Sequence, residues 1–447
     1  MTLRDAHGNA VSTSSHAALA ATETALWRMM SFYGVPIEDL DLAIAADPAW
    51  LLPHVMKAGF LLSLTEPSLQ GEARAALAAA DRLAAAGNDR ERAHLAAVHR
   101  LADGDWSGAA AAWGSLLAGH PRDALALQWG HLLDFYRGDA EALRERVARA
   151  LPAWGNDDPL RPYVLGLHAF GLEESGRYAE AEDAGRRALA GRARVPWAIH
   201  AVAHVMEMQG RHAEGRRWMG RWRPDWAEGN GFVGHLGWHE ALFALESLDH
   251  AGALATFDAY LRADLNEITL QRLDAASMLW RLRLHGADVG ERWQALLARW
   301  PLDSDEAAGH SAFNDLHALL ALIGAGDLPG ARAWAVRSAA AAAARPGWNA
   351  EVMRDIGAPL MQGLLAFGAG RFDEATRTLA PLRGALARVG GSHAQRDLVD
   401  QTLLAAAVHG SDRGIGRELL RQRLASRPAT PLTRWWASGL GLAAQGS

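Results

Sequence analysis

Cysteine is absent from the 447 residues, and with it go disulfides, thiolate metal sites and any cysteine nucleophile. Covalent or metal chemistry has to rest on His, Asp, Glu, Ser or Lys. β-Branched residues are sparse beside Ala, Leu and Arg, so strand signals are almost missing and helices are favoured throughout. No Lys/Arg block of the kind that tracks phosphates occurs, and the formal net charge is −6 with a pI near 6.3, which argues against nucleic acid as a partner. No apolar run approaches the roughly 18 to 20 residues of a spanning helix, so no membrane partner is expected. Met1 to Ser15 is polar and lacks the apolar stretch of a signal peptide. The expectation is a cytoplasmic protein with a flexible segment at 1–15 and one continuous domain over 16–447.

What is present is apolar periodicity. Residues recur at three and four positions in Tyr163 to Ser175, Trp197 to Gln209, Phe232 to Leu248 and Asp274 to His285, each stretch ending at glycine or a polar turn. An all-α fold follows. The alanine run Ala339 to Ala344 fits a tightly packed or exposed helix. Pro and Gly cluster at Pro152 to Pro162, Arg221 to Gly231 and Trp300 to Gly309, which read as long inter-helix loops. The 18 Trp fill gaps between alanine-rich helices, and Trp197, Trp226, Trp238, Trp280 and Trp348 are candidates to wall a pocket.

Turn signatures repeat. Gly176-Arg177-Tyr178 and Gly210-Arg211-His212 are 34 residues apart, and so are Gly104-Asp105 and Gly138-Asp139. A 34-residue pair of helices joined by a glycine turn is the unit of tetratricopeptide repeats. Leu165, Ala169, Gly176, Tyr178, Ala181 and Ala188 stand where that repeat wants its large, small, turn, aromatic and small residues, so the best-defined repeats cover about 160–225. Later turns, at Gly326, Gly370 and around Gly410, come at longer spacing. The expected architecture is a TPR-like α-α superhelix, an irregular helical-repeat solenoid.

Polar stripes lie on several of these helices. His200, His204 and Glu207 are at i, i+4 and i+7, one narrow helix face. With Trp197 they hold positions that line the concave groove in tetratricopeptide repeats. His235 and His239 are i, i+4; Asp274, Ser277 and Arg281 are i, i+3, i+7; His310, Asn314 and His317 are i, i+4, i+7, with Asp315 beside them. In Gly390-Gly-Ser-His393-Ala-Gln-Arg396-Asp397, Ser392 reads as an N-cap. Lone histidines such as His7, His54, His94, His120, His212 and His285 read instead as solvated or hydrogen-bonded side chains.

The segments His200-Ala-Val-Ala-His204-Val-Met-Glu207, Gly234-His235-Leu-Gly-Trp238-His239, Phe313-Asn314-Asp315-Leu316-His317 and Gly390-Gly-Ser-His393-Ala-Gln-Arg396-Asp397, in this order, resemble the tetratricopeptide repeat protein 38 family. The resemblance implies a cytosolic helical-repeat protein and falls on His200, His204, Glu207, His239, Asp315, His317, His393, Arg396 and Asp397. Leu236-Gly237 departs from the family pattern and implies a wider groove there.

Three functions fit. In the first, the stripes form a pocket for a small polar molecule, with the nine residues just named in acid–base roles. Trp197, His235, Trp238, Asp274, Arg281 and Asn314 would contact substrate, in hydrolase, lyase or isomerase chemistry. In the second, a divalent transition metal is held by His200, His204 and His239, with Glu207 or Asp315 completing the set. In the third, the groove is a non-catalytic scaffold for a protein or peptide, although the groove is rich in His and aromatic residues where carboxylate clamps rely on Lys, Arg and Asn.

Overall fold

Helix starts are written into the sequence as short polar side chains. Asp105, Asp123, Asp139, Asp249, Asp327 and Asp412 each stand at an N-cap and accept a backbone N–H two or three residues on. Asn88 with Glu91, and Ser392 with Gln395, make reciprocal capping boxes. Helix ends repeat one device. Gly104, Gly138, Gly176, Gly210, Gly326 and Gly370 have φ between 65° and 86°. The N–H of each bonds the carbonyl three residues back, and the next N–H bonds the carbonyl five residues before it, which is the Schellman pattern. Leu248, at φ 57°, makes the same turn without a glycine.

The computed structural model describes residues 3–191, 194–304 and 306–442; the ends of the sequence-defined segments, 1–2 and 443–447, lie outside the described residues. The described chain is helical, with no strand beyond two isolated bridges, and no helix in it is long and apolar enough to cross a membrane. The helices are α1 His16–Ser31, α2 Pro36–Ala46, α3 Leu51–Ser63, α4 Gln70–Leu83, α5 Asp89–Ala102, α6 Trp106–Gly119, α7 Ala124–Tyr136, α8 Ala140–Ala150, α9 Arg161–Glu174, α10 Tyr178–Leu189, α11 Pro196–Met208 and α12 His212–Trp222. They continue as α13 Val233–Glu246, α14 His250–Tyr260, α15 Thr269–Leu284, α16 Arg292–Leu297, α17 Ala312–Gly324, α18 Leu328–Ala343, α19 Trp348–Val352, α20 Ala358–Gly368, α21 Phe372–Leu379, α22 His393–His409, α23 Arg413–Ser426 and α24 Pro431–Gly439. The three Pro/Gly-rich stretches are mainly loops, the first two with short 3-10 turns at Leu151–Ala153 and Arg223–Asp225. Gly410 ends α22 in an extended conformation, φ −89°, rather than the left-handed one.

Where the sequence suggests one continuous domain over 16–447, the chain gathers into two compact units, the first reaching Val202 and including Pro224–Phe232, the second formed by Ala203–Arg223 and Val233 onward. In unit 1 neighbouring helices pack in sequence order, α1 on α2, α3 on α4, and α5 through α9 each on the next, around Trp50, Trp113, Trp154 and Phe170. The segment before α1, read as flexible, is instead pinned. His7 Nδ1 lies 3.2 Å from Asp158, Thr13 donates to Asp47 at 2.5 Å, and Ser12 gives both its N–H and its hydroxyl to Glu91, at 2.9 and 2.5 Å.

In unit 2, α13 packs on α14 and α15, α15 on α17, and α22 returns against α15. Trp238 and Trp280 are fully buried in its core, with Leu279, Met361 and Leu403; Trp280 donates to Thr402 at 2.9 Å. Gly237 does not widen a groove. A Cβ there would meet the Tyr260 side chain at 2.6 Å, so the missing side chain is what lets α14 close onto α13.

Candidate metal centre

The unit boundary cuts α11 between Val202 and Ala203, so its polar face divides. His200 falls in unit 1, its ring 5.2 Å from Phe170, 4.9 Å from Trp197 and 5.0 Å from Phe232 between centroids. Trp197 belongs to the same aromatic group, stacked on Phe32. His204 and Glu207 fall in unit 2.

There α13 contributes His235 and His239, one turn apart on the face that also carries Trp238 into the core. His204 and His239 are fully buried, with ring centroids 4.4 Å apart; His235 and His239 are 5.0 Å apart at 87°. One ring nitrogen from each of His204, His235 and His239 lies within 4.8 Å of the others. Three atoms so spaced always have a point within about 2.8 Å of all of them, against ~2.0–2.1 Å for a zinc–imidazole bond. Drawing each ring in by under ~1 Å makes them a three-nitrogen set.

Two of the imidazoles are backed by carboxyl groups. His235 Nδ1 is 2.9 Å from Asp274 on α15, and His239 Nδ1 is 3.2 Å from Glu207 on α11. The Asp274 carboxylate accepts, so His235 Nδ1 carries the proton and its Nε2 keeps the lone pair; Glu207 takes the same accepting role toward His239 when it ionises. Burial, with the charges of neighbouring imidazoles and arginines adding to it, holds His204 and His239 well below the usual histidine range. They are neutral at pH 7, the form that binds metal. Burial pushes the Glu207 carboxyl up to about 8; Asp397 and Glu246 add to this, while Arg427 and Arg281 offset it in part.

Around this set the sequence-selected residues take separate roles. Trp238 is enclosed by His235, stacked at 5.4 Å, by His239, and by the Arg281 guanidinium 5.3 Å from its ring. Arg281, selected as a substrate contact, is fully buried and donates to the Ser277 hydroxyl and carbonyl and, at 2.7 Å, to the Ala394 carbonyl. It ties α15 to the start of α22. Burial brings Arg281 down to about 10, against the pull of Asp397 and Glu207. His317 donates from Nδ1 to Phe313 O at 2.8 Å, and burial takes it down to about 4, Asp274 opposing and Arg281 adding. His393 and Arg396 add their charges to the burial that lowers His204, and Arg396 donates to Gly391 O. Asp315 accepts Gly309 N–H at 3.0 Å and so closes the loop before α17. Asn314 sits on the first turn of that helix, buried.

Asp397 is bound by Arg423 and accepts from Gln401 at 2.8 Å; although burial opposes ionisation, Arg423 and Arg427 hold it well below the carboxylate range. Sequence reasoning missed the rest of this network. Glu246 receives Arg423 at 3.2 Å and Thr430 at 2.6 Å, and Arg427 donates to the Glu207 carbonyl at 3.2 Å. The available signal was two closely spaced arginines, Arg423 in α23 and Arg427 just past its end. No family model matches the chain.

Proposed function

We propose that unit 2 is a metal-dependent enzyme centre in which His204, His235 and His239 hold one divalent transition metal. The observation that carries this reading is the pair of imidazole–carboxyl contacts, His235–Asp274 and His239–Glu207, beside a third buried imidazole within ligand range. Metal-ligating histidines characteristically donate their other N–H to a carboxylate, which fixes ring orientation and raises ligand basicity. An all-imidazole set suits zinc, with iron, nickel and copper as competitors. Three protein ligands leave a position for water or substrate, and the metal supplies water activated near neutral pH. The reaction class is then water addition or hydrolysis on a small polar molecule, with Glu207 and Asp274 as orienting residues.

The sequence periodicity and the recurring glycine turns support a TPR-like repeat in the α5–α12 region, and the tetratricopeptide repeat protein 38 resemblance and a cytoplasmic location are part of the same proposal. A peptide-clamping scaffold draws no comparable support, because Arg281 is committed to Ser277 and the α22 backbone.

The test is elemental analysis of the purified protein, before and after reconstitution with zinc, alongside His204→Ala and His235→Ala. About one equivalent of metal is expected in the parent and none in either variant. A parent that holds no metal after reconstitution overturns the proposal.

A further inference from the structure

We propose that unit 1 carries a separate binding site for a small organic carboxylate, in the cleft between the end of α8 and the face of α9. The cleft has a volume of about 520 Å³, within the ~300–1,000 Å³ typical of small-molecule sites. Leu151 and Pro152 supply an apolar wall, and Trp154, Asn156, Arg161 and His168 supply polar groups.

The chemistry of the lining is one-sided. It holds two basic side chains, an amide and an indole, and no carboxylate. Burial, with Arg177, Arg187 and Arg144 adding and Glu180 opposing, lowers His168, so it offers a neutral imidazole and Arg161 is the cation of the lining. Two polar atoms of the lining are buried with no hydrogen-bond partner among the described residues, Trp154 Nε1 and His168 Nδ1. Trp154 is only 1% exposed, and its indole nitrogen can only donate. A buried donor left without an acceptor costs about 1–3 kcal/mol, and a carboxylate oxygen is the acceptor that removes this cost while pairing with the Arg161 guanidinium. Arg161 also donates to the Trp154 carbonyl, which holds the loop in the shape that presents these groups. The apolar wall beside the donors selects a carboxylate with an apolar body over an inorganic anion.

Benzoate, benzamide and inorganic phosphate are the probes, titrated calorimetrically into the full chain. Benzoate is expected to bind with Kd under about 1 mM, and benzamide, its neutral isostere, at least ~10-fold more weakly. Arg161→Met and His168→Gln, both checked for native helicity, are each expected to weaken benzoate by ~10-fold or more; His168→Gln leaves the Arg161 contact to the loop in place, so one informative variant survives if the other misfolds. Absence of benzoate binding up to ~10 mM, equal binding of benzoate and benzamide, preference for phosphate, or unchanged affinity in a folded variant would each overturn the assignment.

Discussion

His239 Nδ1 lies 3.2 Å from Glu207 Oε2, joining α13 to α11 across 32 residues of sequence. The contact fixes which ring nitrogen of His239 is left to face His204 and His235. If that orientation serves a metal, replacing the ionisable acceptor with an amide of the same shape weakens binding while the fold persists. Glu207→Gln and Asp274→Asn are each expected to lower zinc affinity by ~10–100-fold, the usual effect of such outer carboxylates. Competition against a chromophoric chelator reads this directly. Unchanged affinity in both variants would mean that the two contacts are structural only.

The turn at Gly176 isolates a backbone effect. Its φ is 73° and an added Cβ would meet nothing within 4 Å, so alanine there bears only the cost of the left-handed conformation. Gly176→Ala is expected to cost about 1 kcal/mol, seen as a lower urea midpoint with an unchanged slope.

How much of this was legible in the sequence varies with the range of the contact. Helix existence and many helix starts were readable because caps and turn glycines act within a few residues, as at Ser392 and Gly210. The turn at Leu248 was not, since leucine gives no signal for positive φ and only packing of α13 on α14 enforces it. Stripes on single helices were readable, but not which stripes meet. The sequence gave His235 to substrate; the structure adds it to the imidazoles whose ring nitrogens gather with His204 and His239, a meeting of stripes on two helices that no local pattern reports. Asp315 lies on a polar stripe yet serves a loop. The carboxylates holding the first residues, Glu91 and Asp158, are 79 and 151 residues from their partners Ser12 and His7, and no local pattern reports such pairing.

Glu91 makes that pinning testable. It accepts from Ser12 N–H and hydroxyl, from the Trp50 indole at 2.8 Å and from Asn88 N–H. Glu91→Ala strands a buried indole donor and frees the segment before α1. A loss of roughly 2–4 kcal/mol is expected, together with new proteolytic cleavage within residues 3–15 under native conditions. Retained protease resistance there would show that the remaining contacts, at Asp47 and Asp158, suffice.

Asp315 gives unit 2 a pH dependence of definite sign. Burial raises its carboxyl from an ordinary 3.8 to about 7, with the Gly309 N–H and the charges of Arg345 and Arg337 offsetting only part of the effect. A group raised on folding binds its proton more tightly in the native state, so its contribution to stability is whole below pH ~4 and drains away as pH rises through about 7. The loss approaches roughly 4 kcal/mol at most, because each tenfold gain in proton affinity on folding is worth ~1.4 kcal/mol. Asp315→Asn cannot ionise, yet its amide oxygen still accepts the Gly309 N–H. The variant is therefore expected to match the parent near pH 4 and to exceed it at pH 8, the gap between them widening across the interval from pH ~4 to about 7. Urea unfolding at pH 4 and pH 8, followed by tryptophan fluorescence, checks both points. A parent and variant that change in parallel would place the Asp315 carboxylate in a far better compensated site than its burial beside Gly309 allows.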